Sequence, residues 1–211
     1  MIKTKMKMKN NDLWVDSFKI VGIDSRSVDL SNLKIDNSKT ILIYPKSLTV
    51  NEISNLAKKG FTKFLFFLDS INPRTYEKIW GKDSFEWLWN VIDKISFKYK
   101  DKINLTFVCN ISKINLHELL PTFGWVVNFG MAKLYFRPVT PNFYSNSKLS
   151  SDKSNFKKFL VNDTVLLEKT LNHLIKKSIE IPEVIINNID ELRNIIDYIS
   201  EYGSSKTSDS K

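Results

Sequence analysis

Three polar residues in this sequence directly end strongly apolar runs. Asp69 ends "FLFFLD", Asn110 ends "LTFVCN" and Arg137 ends "KLYFR". A carboxylate accepts hydrogen bonds, an amide both donates and accepts them, and a guanidinium can hold an anion through two parallel bonds. If the fold brings the three side chains together, they could form a binding site for a polar ligand.

Each of these residues also has a purely structural interpretation. Asp69, with Ser70 and Pro73 close behind it, could start a loop by accepting hydrogen bonds from nearby backbone. Asn110 is of a type that is common in loops, and Arg137 could pair with a surface acid. Binding site and structural role both stay open for all three residues.

Other residue types that carry chemistry are few. Cys109 is the single cysteine, so the chain forms no internal disulfide and cannot hold a metal ion through several thiolates. It lies within an apolar run, where a cysteine behaves as a small buried hydrophobe. His117 and His173 are far apart and have no companion ligands, so we expect no metal site.

The apolar runs alternate with helical patterns along the chain. Thr49, followed by Glu52, predicts a capped helix that ends near Gly60. After residue 69 we expect a loop, until Asp83 or Ser84 opens the next helix, and the tryptophans between 80 and 89 are interpreted as packing residues. Further helices are expected at 156–178, interrupted near Asn162 and Asp163, and at 190–202. Strands are expected at 18–23, 39–44, 62–69, 102–110, 132–138 and 182–187.

This strand–helix alternation implies parallel strands joined by right-handed crossovers. The predicted fold class is therefore α/β, with a sheet that either closes toward a barrel or stays open and doubly wound. In both arrangements the functional groups gather at the carboxyl ends of the strands. We predict that the strands ending at Tyr44, Asp69, Asn110 and Arg137 are adjacent and parallel, with these four residues on one rim.

The composition sets limits on partners and location. The formal charge is +9, from 32 basic against 23 acidic residues, which attracts polyanions, so a nucleic-acid-associated role is kept open. The lysines, however, are interleaved with acids and form no Arg-rich motif. No apolar run is long enough to span a membrane, and the first residues lack the pattern of a secretory signal, so we expect a cytoplasmic protein.

From residue 40 to about residue 142 the chain resembles the C-terminal part of a radical S-adenosylmethionine (radical SAM) domain. In that family a strand ending "SLDG" is followed by "PETHDRIRG", then by "SF" and a helix, and "FFLDSINPRTYEKIWGKDSF" is similar. "INLTFVCN" resembles the next strand, which closes on asparagine, and "FGMAKLYFRP" resembles the strand that ends in "FRP". The resemblance covers about half of the chain.

The resemblance implies a partial, open TIM-type barrel of parallel βα repeats over residues 39–202. Residues 1–38 are then an N-terminal segment, partly flexible, and residues 203–211 a disordered tail. A partial barrel leaves a sheet edge that must be covered, in cis by residues 1–38 or 156–178, or in trans by a partner or a second copy of the chain.

The resemblance also implies that Asp69, Asn110 and Arg137 bind a cofactor, where the carboxylate would accept bonds from ribose hydroxyls or an amino group and the guanidinium would hold a carboxylate. The chain departs from the family at decisive points. The "CxxxCxxC" loop that holds the iron–sulfur cluster and the "GGEP" segment are absent, and Phe67 stands where the family has serine. No cofactor is expected on this chain alone, and residual S-adenosylmethionine binding is left open.

The resulting hypothesis is a degenerate radical-SAM-like domain without its own iron–sulfur cluster, acting as a non-catalytic binding or interaction module. Two alternatives remain. The chain could be one half of a split radical SAM enzyme that a cluster-bearing partner chain completes, or a basic accessory protein that contacts nucleic acid. We do not expect catalysis from this chain alone, and its substrate cannot be read from the sequence.

Two outcomes are expected for the rim. If a cofactor site persists, Asp69, Asn110 and Arg137 converge on one polar pocket. If the site has decayed, Phe67 and its neighbours fill the space, and Asp69 caps its own loop near Asn72 and Thr75. Decay is the favoured outcome, because losing the upstream half removes most of the cofactor contacts.

Overall fold

The computed structural model describes residues 19–21, 40–99, 102–139 and 158–204. The strands are β1 (Lys19–Val21), β2 (Thr40–Ile43), β3 (Lys63–Phe67), β4 (Asn104–Ile111) and β5 (Ala132–Pro138). The helices are α1 (Val50–Lys58), α2 (Pro73–Trp80), α3 (Ser84–Tyr99), α4 (Leu119–Phe129), α5 (Thr164–Glu180) and α6 (Ile189–Ser204), with a 3₁₀ turn at Leu116–Glu118. Within these ranges, no helix combines the length and the apolar character that a membrane crossing requires.

The five strands form one parallel sheet in the order β1-β2-β3-β4-β5. The α/β class and the adjacency of β2, β3, β4 and β5 are therefore confirmed. The strand order follows the chain without a reversal, whereas a doubly wound sheet reverses its order at a switch point. The register places Asn110 of β4 beside Arg137 of β5, so the strand ends carrying the predicted site residues meet at one rim.

The two faces of the sheet bury different sets of side chains, because successive residues of a strand point to opposite sides. On β3, Phe64 and Phe66 belong to the large core that the helices cover. Leu65 and Phe67 lie on the other face, in a smaller apolar cluster. Both faces are therefore buried, which explains why β3 reads as a continuous apolar run.

Helix α1 begins as the sequence predicts. The Thr49 hydroxyl accepts a hydrogen bond from the Glu52 backbone N–H at 3.2 Å, and the Glu52 carboxylate accepts one from the Thr49 N–H at 2.7 Å. This capping box satisfies two backbone donors that the first helical turn would leave unpaired. The chain then turns at Gly60, whose φ of 103° is readily available only to glycine.

The loop expected after residue 69 is wrong, because Pro73–Trp80 is an α-helix. The Asn72 side chain caps it by accepting from the Arg74 N–H at 3.0 Å, and Pro73 occupies the first turn, where its missing N–H costs nothing. Gly81 ends the helix with a φ of 92°. Asparagine, proline and glycine also mark turns, so the sequence of this eight-residue helix predicts a loop.

The edge of β5 is covered in cis by the segment between α5 and α6. The expected strand at 182–187 pairs with β5 through one bridge, between Ile185 and Leu134. The Leu134 N–H donates to the Val184 carbonyl at 2.7 Å, and the Leu134 carbonyl accepts from the Ile186 N–H at 2.9 Å. The backbone N–H and C=O of Leu134 at the edge of β5 are therefore already paired within the chain.

The side chain of Asn187 continues this pairing where the short segment stops. Its Oδ1 accepts from the Phe136 N–H at 2.6 Å, and its Nδ2 donates to the Phe136 carbonyl at 2.9 Å. An asparagine amide thus replaces one backbone peptide of a sixth strand. The described residues of 158–178, which were expected to cover an edge, do not supply this backbone. The helix there begins at Thr164, after the expected interruption near Asn162 and Asp163, and the Asp163 side chain accepts from the Leu166 N–H.

Two observations concern the outer parts of the expected domain division, which stays a prediction. β1 pairs with β2, so the sheet takes a strand from the segment 1–38 that was placed outside the barrel. The last helix runs to Ser204, two residues past its expected end, and residues 205–211 of the expected tail lie outside the described residues.

Replacing Asn187 with alanine is expected to lower the free energy of unfolding by about 2–3 kcal/mol, because the buried Phe136 N–H and C=O lose their partner. Urea denaturation followed by circular dichroism measures the change. Asn172→Ala, at an exposed position of α5, is the matched control and should stay within about 0.5 kcal/mol of the unchanged chain. Equal effects of the two substitutions would contradict this account of the β5 edge.

Candidate functional site

Asp69, Asn110 and Arg137 form one hydrogen-bonded chain at the rim of the sheet. Oδ1 of Asp69 accepts from the backbone N–H of Asn110 at 2.5 Å and from its Nδ2 at 2.8 Å. Oδ1 of Asn110 in turn accepts from Nε of Arg137 at 2.6 Å. The three residues singled out in the sequence therefore lie together, and Asn110 links the carboxylate of Asp69 to the guanidinium of Arg137.

The indole of Trp80 donates a third hydrogen bond to the Asp69 carboxylate, a contact that the sequence analysis did not predict. Its Nε1 donates to Oδ2 of Asp69 at 2.7 Å. Helix α2 makes this contact possible, because it turns the chain back over the end of β3. The interpretation of Trp80 as a packing residue is only partly right: its ring packs on Phe67, at 4.9 Å between centroids, and on Tyr44, at 6.2 Å.

Asn115 is a second residue that the sequence reasoning did not identify. Its Nδ2 donates to the backbone carbonyl of Asp69 at 2.6 Å and to that of Asn110 at 2.8 Å. Its Oδ1 accepts from both the N–H and the hydroxyl of Ser112 at 2.9 Å. A buried asparagine soon after a strand ending in asparagine is a signal for such a loop, although it does not reveal the partners.

Arg137 lies over the same aromatic cluster. The central carbon of its guanidinium is 5.5 Å from the centroid of the Phe67 ring, a distance at which a cation is attracted to an aromatic face. Phe67 is fully buried and packs at 5.0 Å from the ring of Tyr44. Phe67 thus supplies an apolar surface beneath the guanidinium of Arg137.

The loop after β3 is held by Ser70 and not by Asp69. The Ser70 hydroxyl accepts from the Asn72 N–H at 2.8 Å and donates to the Glu118 carboxylate. The other oxygen of Glu118 accepts from the Thr75 hydroxyl at 2.8 Å. The expectation that Asp69 caps its loop near Asn72 and Thr75 is therefore wrong, because the adjacent serine performs that role.

The two outcomes expected for the rim are thus combined in one arrangement. The three polar residues converge, as a persisting site requires. The space beside them is occupied by Phe67, Trp80 and Tyr44, as decay requires. Both features are present because Trp80 contributes to each: its ring packs on Phe67, and its N–H is the third donor to the Asp69 carboxylate.

Burial dominates the electrostatics of the site. The pKa of Asp69 is raised from 3.8 to about 6, because its burial raises the pKa by more than the bonds from Asn110 and Trp80 and the charge of Arg137 lower it. Burial, and then the neighbouring Asp69, raise the pKa of the Tyr76 phenol, whose hydroxyl donates to the Phe67 carbonyl at 3.0 Å. Burial, Asp69 and Glu118, in that order, raise the pKa of the Cys109 thiol.

These residues do not fit the cofactors of the resembling family. Both carboxylate oxygens of Asp69 are engaged by donors of the chain, and the side chain has no exposed surface. Cys109 is the one thiol, it is fully buried, and its raised pKa disfavours the thiolate that binds metals. His117 and His173 are exposed on separate elements, and the described part of the chain groups no three potential metal ligands.

Comparison of the chain with models of protein families, with curated proteins and with solved structures found no match. The interpretation of the rim therefore rests on its geometry.

Because the folded-state pKa of Asp69 lies above its value of 3.8 in the unfolded chain, folding favours the protonated acid. The stabilisation that protonation provides is complete below about pH 4 and is lost as pH rises through about 6. Between pH 4.5 and 7 the free energy of unfolding should fall by about 2 kcal/mol from this group.

The measurement is urea denaturation of the unchanged chain and of Asp69→Asn at both pH values. The difference between the two pH profiles isolates Asp69 from the other carboxylates, which act in the opposite direction when they are stabilised as anions. Parallel profiles would show that Asp69 does not titrate in this range.

Proposed function

We propose that this chain is a non-catalytic interaction module, built on a partial barrel similar to the C-terminal part of a radical SAM domain. One observation carries the proposal: both oxygens of the candidate carboxylate, Asp69, already accept hydrogen bonds from Asn110 and Trp80. The polar residues that the resemblance assigns to a cofactor are used here to join strands and helices of the chain itself.

The energetics support this use of the residues. Hydrogen bonds to a charged group contribute about 1.5–3 kcal/mol each, and the carboxylate accepts three of them. A ligand hydroxyl or amino group would have to displace at least one donor and gain access to an atom with no exposed surface. Binding there would therefore begin with a loss of several kcal/mol.

The two edges of the sheet suggest where a protein partner would bind. The segment 184–187 occupies the edge of β5, whereas on the opposite side β1 is the outermost strand among the described residues. In the resembling family, the half that bears the cluster precedes the strands matched here, so it would continue from the β1 side. A partner chain or a second copy adding a strand at β1 would pair with backbone groups of an edge strand.

The strand order supports the barrel part of the proposal. The order of the parallel strands follows the chain, and helices α1, α3 and α4 pack into the core on one face of the sheet. Consecutive βα units of a barrel have this arrangement. The opposite face carries the small apolar cluster with Phe67 and Val108, as the side chains that fill a barrel interior do.

Calorimetric titration with S-adenosylmethionine tests the proposal. We expect no saturable binding in the micromolar range, because the acceptor atoms are buried and engaged. Trp80→Phe, which removes one donor but keeps a ring, should not create binding, because Oδ1 of Asp69 stays engaged with Asn110.

Asp93→Ala, at an exposed position of α3, is the control for general effects of losing an acid. Saturable micromolar binding that Asp69→Ala abolishes and Asp93→Ala preserves, with circular dichroism unchanged in both variants, would overturn the proposal. It would instead identify the rim as a functioning cofactor site.

Anaerobic reconstitution with iron and sulfide should leave the purified chain without stoichiometric iron or a visible charge-transfer band after desalting. One thiolate cannot replace the three or four ligands that an iron–sulfur cluster takes. Cys109→Ala should bind the same trace of iron as the unchanged chain, and should fold with a loss of about 1 kcal/mol or less. A stoichiometric cluster that this substitution removes would contradict the ligand argument.

A further inference from the structure

The contact between Trp80 and Asp69 depends on the charge of the carboxylate. Nε1 of Trp80 donates to Oδ2 of Asp69 at 2.7 Å. An indole N–H is a donor only, so it requires an acceptor opposite it. An ionised carboxylate offers acceptors on both oxygens, whereas a protonated one carries an O–H donor on one of them.

The geometry decides which oxygen takes the proton. Oδ1 accepts two hydrogen bonds from Asn110, at 2.5 and 2.8 Å, and both come from a residue that β4 and β5 hold in register. A proton on Oδ1 would oppose two donors, while a proton on Oδ2 opposes only the indole. A proton is therefore favoured on Oδ2, whose hydroxyl oxygen is a weaker acceptor for the indole N–H than an ionised carboxylate oxygen.

We propose that protonation of Asp69 weakens its hydrogen bond with the indole of Trp80, so that the carboxylate and the indole form an acid-sensitive latch at the end of α2. The latch is tight when the carboxylate is ionised and loosened when it is protonated. This inference goes beyond the proposed function and does not depend on the identity of any partner.

Four other titratable or charged groups lie around Asp69. In the described residues these are Arg137 on β5, Cys109 on β4, Tyr76 on α2 and Glu118 on the 3₁₀ turn. The pKa values of Tyr76 and Cys109 are raised, so both stay neutral, and the guanidinium stays charged. The carboxylate of Glu118 is engaged by the Ser70 and Thr75 hydroxyls, away from the indole.

Trp80 lies directly before the turn that joins α2 to α3. Trp80 is the last residue of α2, and Gly81 follows with a φ of 92°. The next residue, Lys82, accepts a hydrogen bond at its carbonyl from Nζ of Lys46 at 2.9 Å. A change at Trp80 therefore reaches both the loop between α2 and α3 and the loop after β2.

Nitrogen–proton correlation spectra of the indole groups, recorded between pH 4.5 and 8, test the latch. The chain has five tryptophans, and the resonance that disappears in Trp80→Phe belongs to Trp80. We expect this resonance to move with a single midpoint near 6, in the direction of a weaker hydrogen bond at low pH. The same midpoint should appear in the carbon resonance of the Asp69 carboxyl.

Three variants separate the latch from other titrations. Asp69→Asn should abolish the movement of the Trp80 resonance, and Glu118→Gln should leave it in place. If Asp69→Asn does not fold, Trp80→Phe still gives a result: losing a donor to the charged form should raise the Asp69 midpoint by about one pH unit. A Trp80 resonance that stays fixed while the Asp69 carboxyl titrates, or an Asp69 midpoint unchanged in Trp80→Phe, would overturn the proposal.

Discussion

A fully buried carboxylate at the end of β3 requires donors from several elements at once. Removing an ionised group from water costs several kcal/mol unless hydrogen bonds replace the lost solvent. β4 supplies the N–H and the amide of Asn110, and α2 supplies the indole of Trp80. The strand register and the return of α2 over the rim are thus both tied to the position of one side chain, Asp69.

Asn110 connects Asp69 by hydrogen bonds to the neighbouring strand β5 and to the loop after β4. Its N–H and Nδ2 donate to Asp69, its Oδ1 accepts from Arg137, and its carbonyl accepts from Asn115. Asn110, which makes all of these bonds, is about 1% exposed. A shift of β4 by one residue would break them all and turn Asn110 to the opposite face, so the polar chain also fixes how β3, β4 and β5 align.

The parts of this arrangement that follow from local pattern are predictable from the sequence, and the rest depends on contacts between distant residues. Apolar runs and a capping box locate β3, β4 and α1, and parallel strands bring Asp69 and Asn110 to one rim. The contact of Trp80 with Asp69 depends on a helix too short for periodicity to reveal. The pairing of Asn187 with Phe136 joins residues 51 positions apart through a side chain that imitates backbone, and no local pattern encodes such a pairing.

Convergence of an acid, an amide and a base at a sheet rim is compatible with both a ligand site and an internal cross-link. The difference lies in where the donors come from. A ligand site keeps acceptors that a ligand must satisfy, whereas Asp69 receives all three donors from its own chain. Each donor also holds an element in place, because Trp80 ends α2 and Asn110 lies within β4. Stabilising the fold and binding a ligand would therefore compete for the same two oxygens, and in this chain the fold occupies both.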